Sequence, residues 1–196
     1  MASIEPDLVG QQYWQEKGME YLRYEYPLKP SDTVLDLGAY TGEFASTIHN
    51  KYGCHVICVE PTDHIMGFSN RPGFTVIRKA AWICDEVRRF GGAYYHTSAH
   101  ADHKTFGYND FECFDINAIL EKYNQFGLIK INIEGDEYAL LQHMMPHISK
   151  FNHLQIQFHV VDEFSKMARK EIVTKLKKTH KCDWCVKFVW ESWTKL

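Results

Sequence analysis

The apolar positions of the chain form two kinds of pattern, which alternate along its length. Short, predominantly apolar runs, typical of buried strands, occupy residues 34–37, 56–59, 74–81, 128–133, 154–160 and 184–193. Segments with apolar residues three and four positions apart, which predict helices, occupy residues 11–26, 42–52, 62–70, 115–123, 136–149 and 163–178. Strands that alternate with helices predict an α/β fold with a doubly wound, mostly parallel sheet.

The first strand, helix and strand form one unit over residues 34–60, VLDLGAYTGEFASTIHNKYGCHVICVE. Gly38 and Gly42 bracket its turn, where the missing Cβ atoms let backbone N–H groups approach a ligand at the helix N-terminus. Glu60 ends the second strand about 20 positions beyond the turn, where an acidic residue can accept hydrogen bonds from ribose hydroxyls. The unit therefore predicts a nucleoside site made by Asp36, Gly38, Gly42 and Glu60.

The spacing of the two glycines indicates which kind of nucleoside this site would bind. Gly38 and Gly42 form a Gly-x-x-x-Gly spacing, and the chain lacks the glycine that lets a pyrophosphate pack against the backbone in Gly-x-Gly-x-x-Gly. A nucleoside without phosphates fits better, and S-adenosylmethionine is such a ligand. Two alternatives stay open: an ordinary α/β turn in which Asp36 caps the helix and Glu60 is solvated, and a dehydrogenase with a nicotinamide cofactor.

A doubly wound sheet binds its ligand at the carboxyl ends of the strands, near the point where the strand order reverses. Besides the glycine turn and Glu60, the residues at predicted strand ends are Ala81, Trp82, Glu134 and His159. We expect Ala81 and Trp82 at the adenine, with core packing as the alternative for the Trp82 ring. Tyr40, inside the glycine turn, is expected to approach a sulfonium through its ring face, with a surface tyrosine as the alternative.

Length and composition are those of one globular domain. We expect a single domain over residues 1–196, with a helical segment in residues 1–30 and an α/β core in residues 31–196. The 22 Lys and Arg against 25 Asp and Glu give a formal charge of −3, so no nucleic-acid partner is expected. The start MASIEPDLVG does not resemble a signal peptide, and no apolar run has the roughly 20 residues of a membrane span. We therefore expect a cytoplasmic protein without membrane contact.

Metal-type spacings occur at two places in the chain. His96, His100 and His103 lie in an irregular stretch that predicts a hairpin with a mobile tip, and no second cluster of thiolates or paired carboxylates accompanies them. Cys182 and Cys185 have the spacing of a zinc or redox pair but lack a second pair. We therefore predict a polar lid and structural thiols, and no metal site.

Several motifs follow one another over residues 34–159: VLDLGAYTGEFA, CVEP, KAAWICDE, FDINAIL, LIKINIEGDEYALL and QIQFH. With these motifs in this order, the chain resembles the FkbM-type branch of the class I methyltransferases. The resemblance implies a Rossmann-like class I methyltransferase fold with a seven-stranded sheet, S-adenosylmethionine as cofactor, and O-methylation, often of a sugar or natural-product hydroxyl. Two positions depart from the family: Asn132 stands where it usually has Asp, and Gln157 where it often has Glu. Because hard cations prefer carboxylate oxygens, a metal site of the catechol type is disfavoured.

The expected reaction needs a group that holds the acceptor oxygen in line and removes its proton. Glu134 and His159, at the ends of neighbouring predicted strands, are the candidate catalytic residues. The alternatives are a helix cap for Glu134 and a core histidine for His159. The acceptor is expected to be a small molecule, such as a sugar, bound by residues 85–110. A nucleoside-binding module without turnover is the alternative function, because Asn132 and Gln157 are neutral amides.

Four aromatic residues occupy the closing apolar run: Trp184, Phe188, Trp190 and Trp193. We expect them to cover the sheet edge, and an interface between two copies of the chain, giving a homodimer, is the alternative. Only one strand is predicted after the last helix. The last hairpin of the methyltransferase sheet is therefore expected to be shortened.

Overall fold

A computed structural model describes residues 8–91 and 108–196 of the chain. Its strands are β1 (Thr33–Leu37), β2 (His55–Val59), β3 (Phe74–Ile77), β4 (Ala80–Trp82), β5 (Glu86–Gly91), β6 (Tyr108–Asp115), β7 (Phe126–Ile131), β8 (Phe151–Ile156), β9 (His180–Val186) and β10 (Trp190–Lys195). Its α-helices are α1 (Leu8–Glu16), α2 (Glu43–Tyr52), α3 (Asn117–Leu120), α4 (Glu137–Met144) and α5 (Ser165–Leu176). Short 3₁₀ helices occupy Met19–Tyr24, Asp63–Phe68 and Met145–Lys150.

Seven strands form one sheet in the order β3-β2-β1-β7-β8-β10-β9. Its pairs are parallel up to β8, and β10 pairs antiparallel with both β8 and β9. From β1, the strands β2 and β3 of this sheet lead towards one edge. From β7, the strands β8, β10 and β9 lead towards the other edge, so the strand order reverses between β1 and β7. The prediction of a doubly wound, mostly parallel sheet is confirmed, and a ligand site is expected at this reversal.

Each face of the sheet buries its own apolar cluster, because successive strand residues point to opposite faces. Leu35 and Leu37 of β1 belong to the cluster that also contains apolar residues of α3, α4 and α5. Val34, which precedes Leu35 in β1, points to the opposite face. It belongs to the other cluster, together with Phe44 and Ile48 of α2. Helices on both faces leave the strand ends as the place where polar side chains can meet.

A second, three-stranded sheet has the order β4-β6-β5. The single strand predicted over residues 74–81 is wrong, because β3 and β4 belong to different sheets and the exposed Arg78 and Lys79 separate them. β5 and β6 pair antiparallel, as the two arms of a hairpin do. The predicted tip with His96, His100 and His103 lies outside the described residues.

The closing apolar run is a hairpin and not one strand. β9 and β10 pair over their length, so the expectation of a shortened hairpin is wrong. Its turn has Phe188 at φ 59 and a hydrogen bond from Val189 N–H to the Val186 carbonyl oxygen of 3.0 Å. The turn carries Lys and Phe in place of glycine, asparagine or proline, so the usual sequence signal of a turn is missing.

Three other predicted elements differ in extent from those of the structure. The helix predicted over residues 11–26 is divided at Gly18, whose left-handed conformation separates α1 from a 3₁₀ helix. The helix predicted over residues 136–149 changes to a 3₁₀ helix at Met145, just before Pro146. β8 ends at Ile156, before the predicted end at residue 160, so His159 follows the strand in a loop. Within the described part of the chain, no helix is long and apolar enough to cross a membrane.

Candidate active site

A cavity of about 230 Å³ opens at the carboxyl ends of β1, β2 and β7, where the strand order reverses. Five of the predicted site residues line it: Gly38, Tyr40, Glu60, Ala81 and Glu134. Asp36, Gly42, Trp82 and His159 are not part of its lining. The lining residues that were not among the predicted site residues include Phe90, Asn132 and Asp136. The structure therefore brings the glycine turn, the acid after β2 and the acid after β7 to one cavity.

Gly38 allows two backbone segments to meet beneath this cavity. Its N–H donates a hydrogen bond of 2.9 Å to the Val59 carbonyl oxygen, and its φ is +75. A Cβ atom at this position would lie 1.8 Å from the carbonyl oxygen of Asn132. Only glycine fits, because both the left-handed conformation and the close approach exclude a side chain.

Gly42, which precedes α2, has φ +77, and a Cβ atom there would lie 2.3 Å from the ring of Phe68. We expect Gly42→Ala to lower the free energy of unfolding by about 1–2 kcal/mol, because an L-residue is strained in this conformation. Urea denaturation measures the change. Gly67→Ala is the matched control, since nothing lies within 4 Å of its Cβ position, and it should shift stability by less than about 0.5 kcal/mol. Similar losses in both variants would contradict the prediction.

Glu60 closes the turn around the cavity from the end of β2. Its Oε2 accepts a hydrogen bond of 2.9 Å from Tyr40 N–H, and its Oε1 accepts bonds of 3.0 and 2.7 Å from the N–H and hydroxyl of Thr62. The side chain is buried at 6% exposure and still lines the cavity. The carboxylate is therefore held in one orientation, and the alternative of a solvated Glu60 is wrong.

Two lining residues have a backbone conformation that only glycine adopts easily. Tyr40 has φ 48 and Glu134 has φ 55, and such left-handed residues are often found at functional sites. The Tyr40 ring lies 4.8 Å from the ring of His64. The left-handed conformation thus occurs in two residues that line the cavity.

His159 connects Glu134 to a buried carboxylate. His159 Nδ1 lies 2.7 Å from Glu137 Oε1, and His159 Nε2 lies 3.6 Å from Glu134 Oε2. Glu137 is fully buried and also accepts hydrogen bonds from the N–H groups of Ile133 and Gly135. Glu137 therefore fixes both the imidazole and the loop that carries Glu134.

The charges around His159 change its protonation. Burial alone would lower its pKa, but the Glu137 carboxylate, through its charge and its hydrogen bond, and the Glu134 carboxylate raise it further than burial lowers it. The pKa of His159 therefore lies above its ordinary value. Because the folded chain holds this proton more tightly than the unfolded chain does, protonated His159 stabilises the fold below about pH 6.5, and the contribution disappears as the pH rises through the raised pKa.

Asp36 does not reach the cavity but lies buried below the glycine turn. Its Oδ1 is 3.0 Å from the ammonium of Lys130 on β7, and both side chains are almost fully buried. Lys130 also donates a hydrogen bond of 2.6 Å to the Gly38 carbonyl oxygen. Neither Asp36 oxygen accepts a well-directed hydrogen bond from the described residues, so attraction between charges dominates the pair. The pair joins β1 to β7 at the point where the order reverses.

A neighbouring side chain packs against the ring of Trp82. The guanidinium of Arg88 lies 3.7 Å from the centre of its ring, and Arg88 Nη1 donates a hydrogen bond of 3.0 Å to Asp136. This agrees with the core-type alternative for Trp82, while Ala81 lies at the cavity. That Trp82 contacts the adenine stays a prediction.

Sequence reasoning missed Lys130 and Glu137. Lys130 stands inside the apolar run LIKINI and Asp36 inside VLDL, and two opposite charges in neighbouring buried strands are a signal for an ion pair. Glu137 lies three residues after Glu134 and was interpreted only as the start of a helix. Nothing in the sequence pattern indicates that it contacts His159, because that contact depends on how α4 packs.

The cysteines of the closing hairpin, Cys182 and Cys185, are exposed free thiols. Although the Cys185 residue is exposed, the surrounding protein partly buries its sulfur and raises the pKa of Cys185 to about 11, so its reactive thiolate form is rare at neutral pH. Within residues 8–91 and 108–196, no group of three or more His, Cys, Asp or Glu side chains is arranged to hold a metal ion.

The sheet order and the cavity at its reversal define a Rossmann-like class I methyltransferase fold, and solved structures share it. An FkbM methyltransferase from Methylobacillus flagellatus KT matches with a TM-score of 0.57 at 14% identity, over 86% of this chain and 44% of its own. A putative rRNA methylase from Clostridium thermocellum matches with a TM-score of 0.54 at 10% identity, over 100% of this chain and 98% of its own. At these identities the likeness concerns the fold.

The family follows from the sequence. Residues 36–183 match the sequence model described as the methyltransferase FkbM domain. Because this match spans most of the chain, the chain belongs to the FkbM methyltransferase family. It spans less than half of the length of the Methylobacillus FkbM protein. No curated protein matches it.

Proposed function

We propose that the chain is an S-adenosylmethionine-dependent methyltransferase that methylates a hydroxyl oxygen of a sugar or another small polar molecule. The observation that carries the proposal is that Glu60 and Glu134 line one cavity at the reversal of a methyltransferase sheet. The first carboxylate suits a ribose, and the second, beside His159, suits an acceptor hydroxyl. Membership of the FkbM family supports the same cofactor.

The residues around the cavity fit this cofactor. Glu60 Oε2 accepts one hydrogen bond from the chain, and a carboxylate oxygen can accept about two, so an acceptor position remains for a ribose hydroxyl. Asn132 Oδ1 is buried without a hydrogen-bond partner among the described residues, and Asn132 lines the same cavity. A buried acceptor of this kind suits the ammonium of the methionine part. Gly38 lines the cavity as well.

S-adenosylmethionine, when bound, supplies a methyl group on a positively charged sulfur. In the proposed reaction Glu134 accepts a hydrogen bond from the acceptor hydroxyl and holds its oxygen in line. The methyl group would pass from the sulfonium to this oxygen, with the carbon–sulfur bond breaking and a neutral thioether leaving, while the hydroxyl proton passes to Glu134 and then to neutral His159 at Nε2. Glu137 keeps the imidazole in place through Nδ1 and stabilises the imidazolium that forms. Asn132 makes this part of the cavity less negative than the Asp usual in the family would.

Turnover tests the proposal directly. We would incubate the protein with S-adenosylmethionine and a panel of glycosides and measure S-adenosylhomocysteine. Transfer to a glycoside is the expected result. Saturable cofactor binding without turnover would favour the non-catalytic module instead. Thermal stabilisation by NAD but not by S-adenosylhomocysteine would contradict the cofactor assignment, since only a ligand of the folded chain raises its midpoint.

Glu60→Ala tests the ribose assignment. We expect the affinity for S-adenosylhomocysteine to fall by about 1–3 kcal/mol, because ribose hydroxyls lose a charged acceptor. Isothermal titration calorimetry measures the change. Glu121→Ala, the same change at an exposed position, is the control and should leave the affinity unaltered. An unaltered affinity in Glu60→Ala would contradict the assignment.

A further inference from the structure

A groove of about 490 Å³ lies between α5 and the turn that joins β9 to β10. Four cationic and two apolar side chains line it: Lys166, Arg169, Lys170, Lys187, Val173 and Phe188. The cations of α5 and Val173 are spaced at i, i+3, i+4 and i+7, so they form one stripe on the helix. The groove therefore combines a concentration of positive charge with apolar surface.

One of these cations is already neutralised. Arg169 Nε donates a hydrogen bond of 2.6 Å to Glu191 Oε1, and Glu191 is fully buried. The guanidinium also lies 5.7 Å from the ring centre of Phe158 and 5.6 Å from that of Phe188. Arg169 is thus a fixed part of the wall, and the surplus positive charge belongs to the lysines.

The three lysines are exposed. Among the residues that the structure describes, none of their ammonium groups forms an ion pair or donates a hydrogen bond. Lys166 and Lys170 are four residues apart on one helix, where like charges repel. Lys166 also lies in the first turn of α5, which contains no acidic residue, although the helix dipole disfavours a cation there. A bound anion would reduce both the repulsion between Lys166 and Lys170 and the unfavourable effect of the helix dipole on Lys166.

The distribution of charge along the chain agrees with a local anion site. Residues 162–196 contain nine Lys and Arg against five Asp and Glu, whereas the whole chain has a formal charge of −3. A local positive field in a negative molecule attracts small anions to one place.

The groove and the cavity lie on the same side of the molecule, where the parallel strands of the sheet have their carboxyl ends. β10 runs antiparallel to β8, and Glu191 near the start of β10 pairs with Ile156 at the end of β8. The turn before β10 is therefore at the carboxyl end of β8. Phe158, whose ring contacts Arg169, is followed directly by His159.

We propose that this groove is a second binding site, which takes a phosphate or diphosphate group of a soluble organic compound. The oxygens of such a group accept charge-assisted hydrogen bonds from several ammonium groups at once. Val173 and Phe188 offer apolar contact to the organic part. The site does not depend on the proposed methyl transfer, because none of its lining residues lines the cavity.

Calorimetric titration with inorganic pyrophosphate tests this site. The groove variant is Lys166→Gln, Lys170→Gln and Lys187→Gln combined, and the matched control is Lys175→Gln, Lys177→Gln and Lys178→Gln, which changes the charge equally at exposed lysines outside the groove. We expect saturable binding to the unaltered chain, a loss of affinity of about tenfold or more in the groove variant, and a change below about twofold in the control. Circular dichroism checks that both variants fold.

Four outcomes would overturn the proposal. The first is an absence of saturable pyrophosphate binding, and the second is an equal loss in the two variants. The third is loss of pyrophosphate binding when S-adenosylhomocysteine is saturating, since the anion would then occupy the cavity. The fourth is binding to phosphatidic acid vesicles without binding of pyrophosphate, since the ligand would then be a membrane surface. Failure of methyl transfer in the glycoside panel affects none of these readouts.

Discussion

Lys130→Met is expected to lower the free energy of unfolding by about 3–5 kcal/mol, because it leaves the buried Asp36 carboxylate without a compensating charge. The pair is 3.0 Å apart and is almost fully buried. Methionine keeps most of the volume of lysine, so the effect reports on charge and not on a cavity. Urea denaturation followed by circular dichroism measures the loss.

The double variant Asp36→Leu with Lys130→Met is the control for this prediction. Removing both charges leaves no unpaired ion, so most of the lost stability should return. A single variant that loses less than about 1 kcal/mol would show that the pair contributes little, and the buried charge would then need another partner. A double variant as unstable as the single one would assign the loss to packing.

His159→Gln is expected to lower methyl transfer by about 10²–10⁴-fold, the range usual for loss of a positioned proton acceptor. Because His159 does not line the cavity, the affinity for S-adenosylhomocysteine should stay within about twofold. Turnover is measured on the glycoside that gives the highest rate with the unaltered chain. The matched control is His143→Gln, since His143 also contacts a carboxylate, Asp115 at 2.8 Å, but lies outside the cavity lining.

The pH dependence gives this prediction a second readout. His159 must be neutral to take up a proton, and the carboxylates of Glu137 and Glu134 raise its pKa above the ordinary value of 6.5. Activity should therefore rise with pH through a value above 6.5, and this rise should be absent from the residual activity of His159→Gln. An identical pH profile in both proteins would contradict the role of His159.

The fold was largely predictable because its main signals are local. Buried parallel strands are continuous apolar runs, and the glycine turn with Glu60 has a fixed spacing, so β1, α2 and β2 were placed near their observed bounds. The closing hairpin was not predictable, because its turn adopts a left-handed conformation at Phe188, a residue that rarely does so. Apolar periodicity alone does not detect a reversal of the chain inside a run of apolar and aromatic residues such as 184–193.

The candidate site was predictable at the level of strand ends and not at the level of contacts. Glu60 and Glu134 follow predicted strands, and the topology brings them to one cavity. The contact of Asp36 with Lys130 depends on the register between β1 and β7, which pairs these two residues. The contact of His159 with Glu137 depends on the packing of α4. Neither register nor helix packing is determined by the spacing of apolar residues in one strand.

Under the proposed function, the backbone conformation of Tyr40 and Glu134 is a compromise between stability and activity. Both residues occupy the left-handed region, which costs less conformational energy for glycine or asparagine. Selection for a robust fold alone would favour those smaller residues at both positions. This chain has an aromatic ring and a carboxylate there instead. Variants that are stabilised by glycine or asparagine at these two positions are therefore expected to be poorer catalysts.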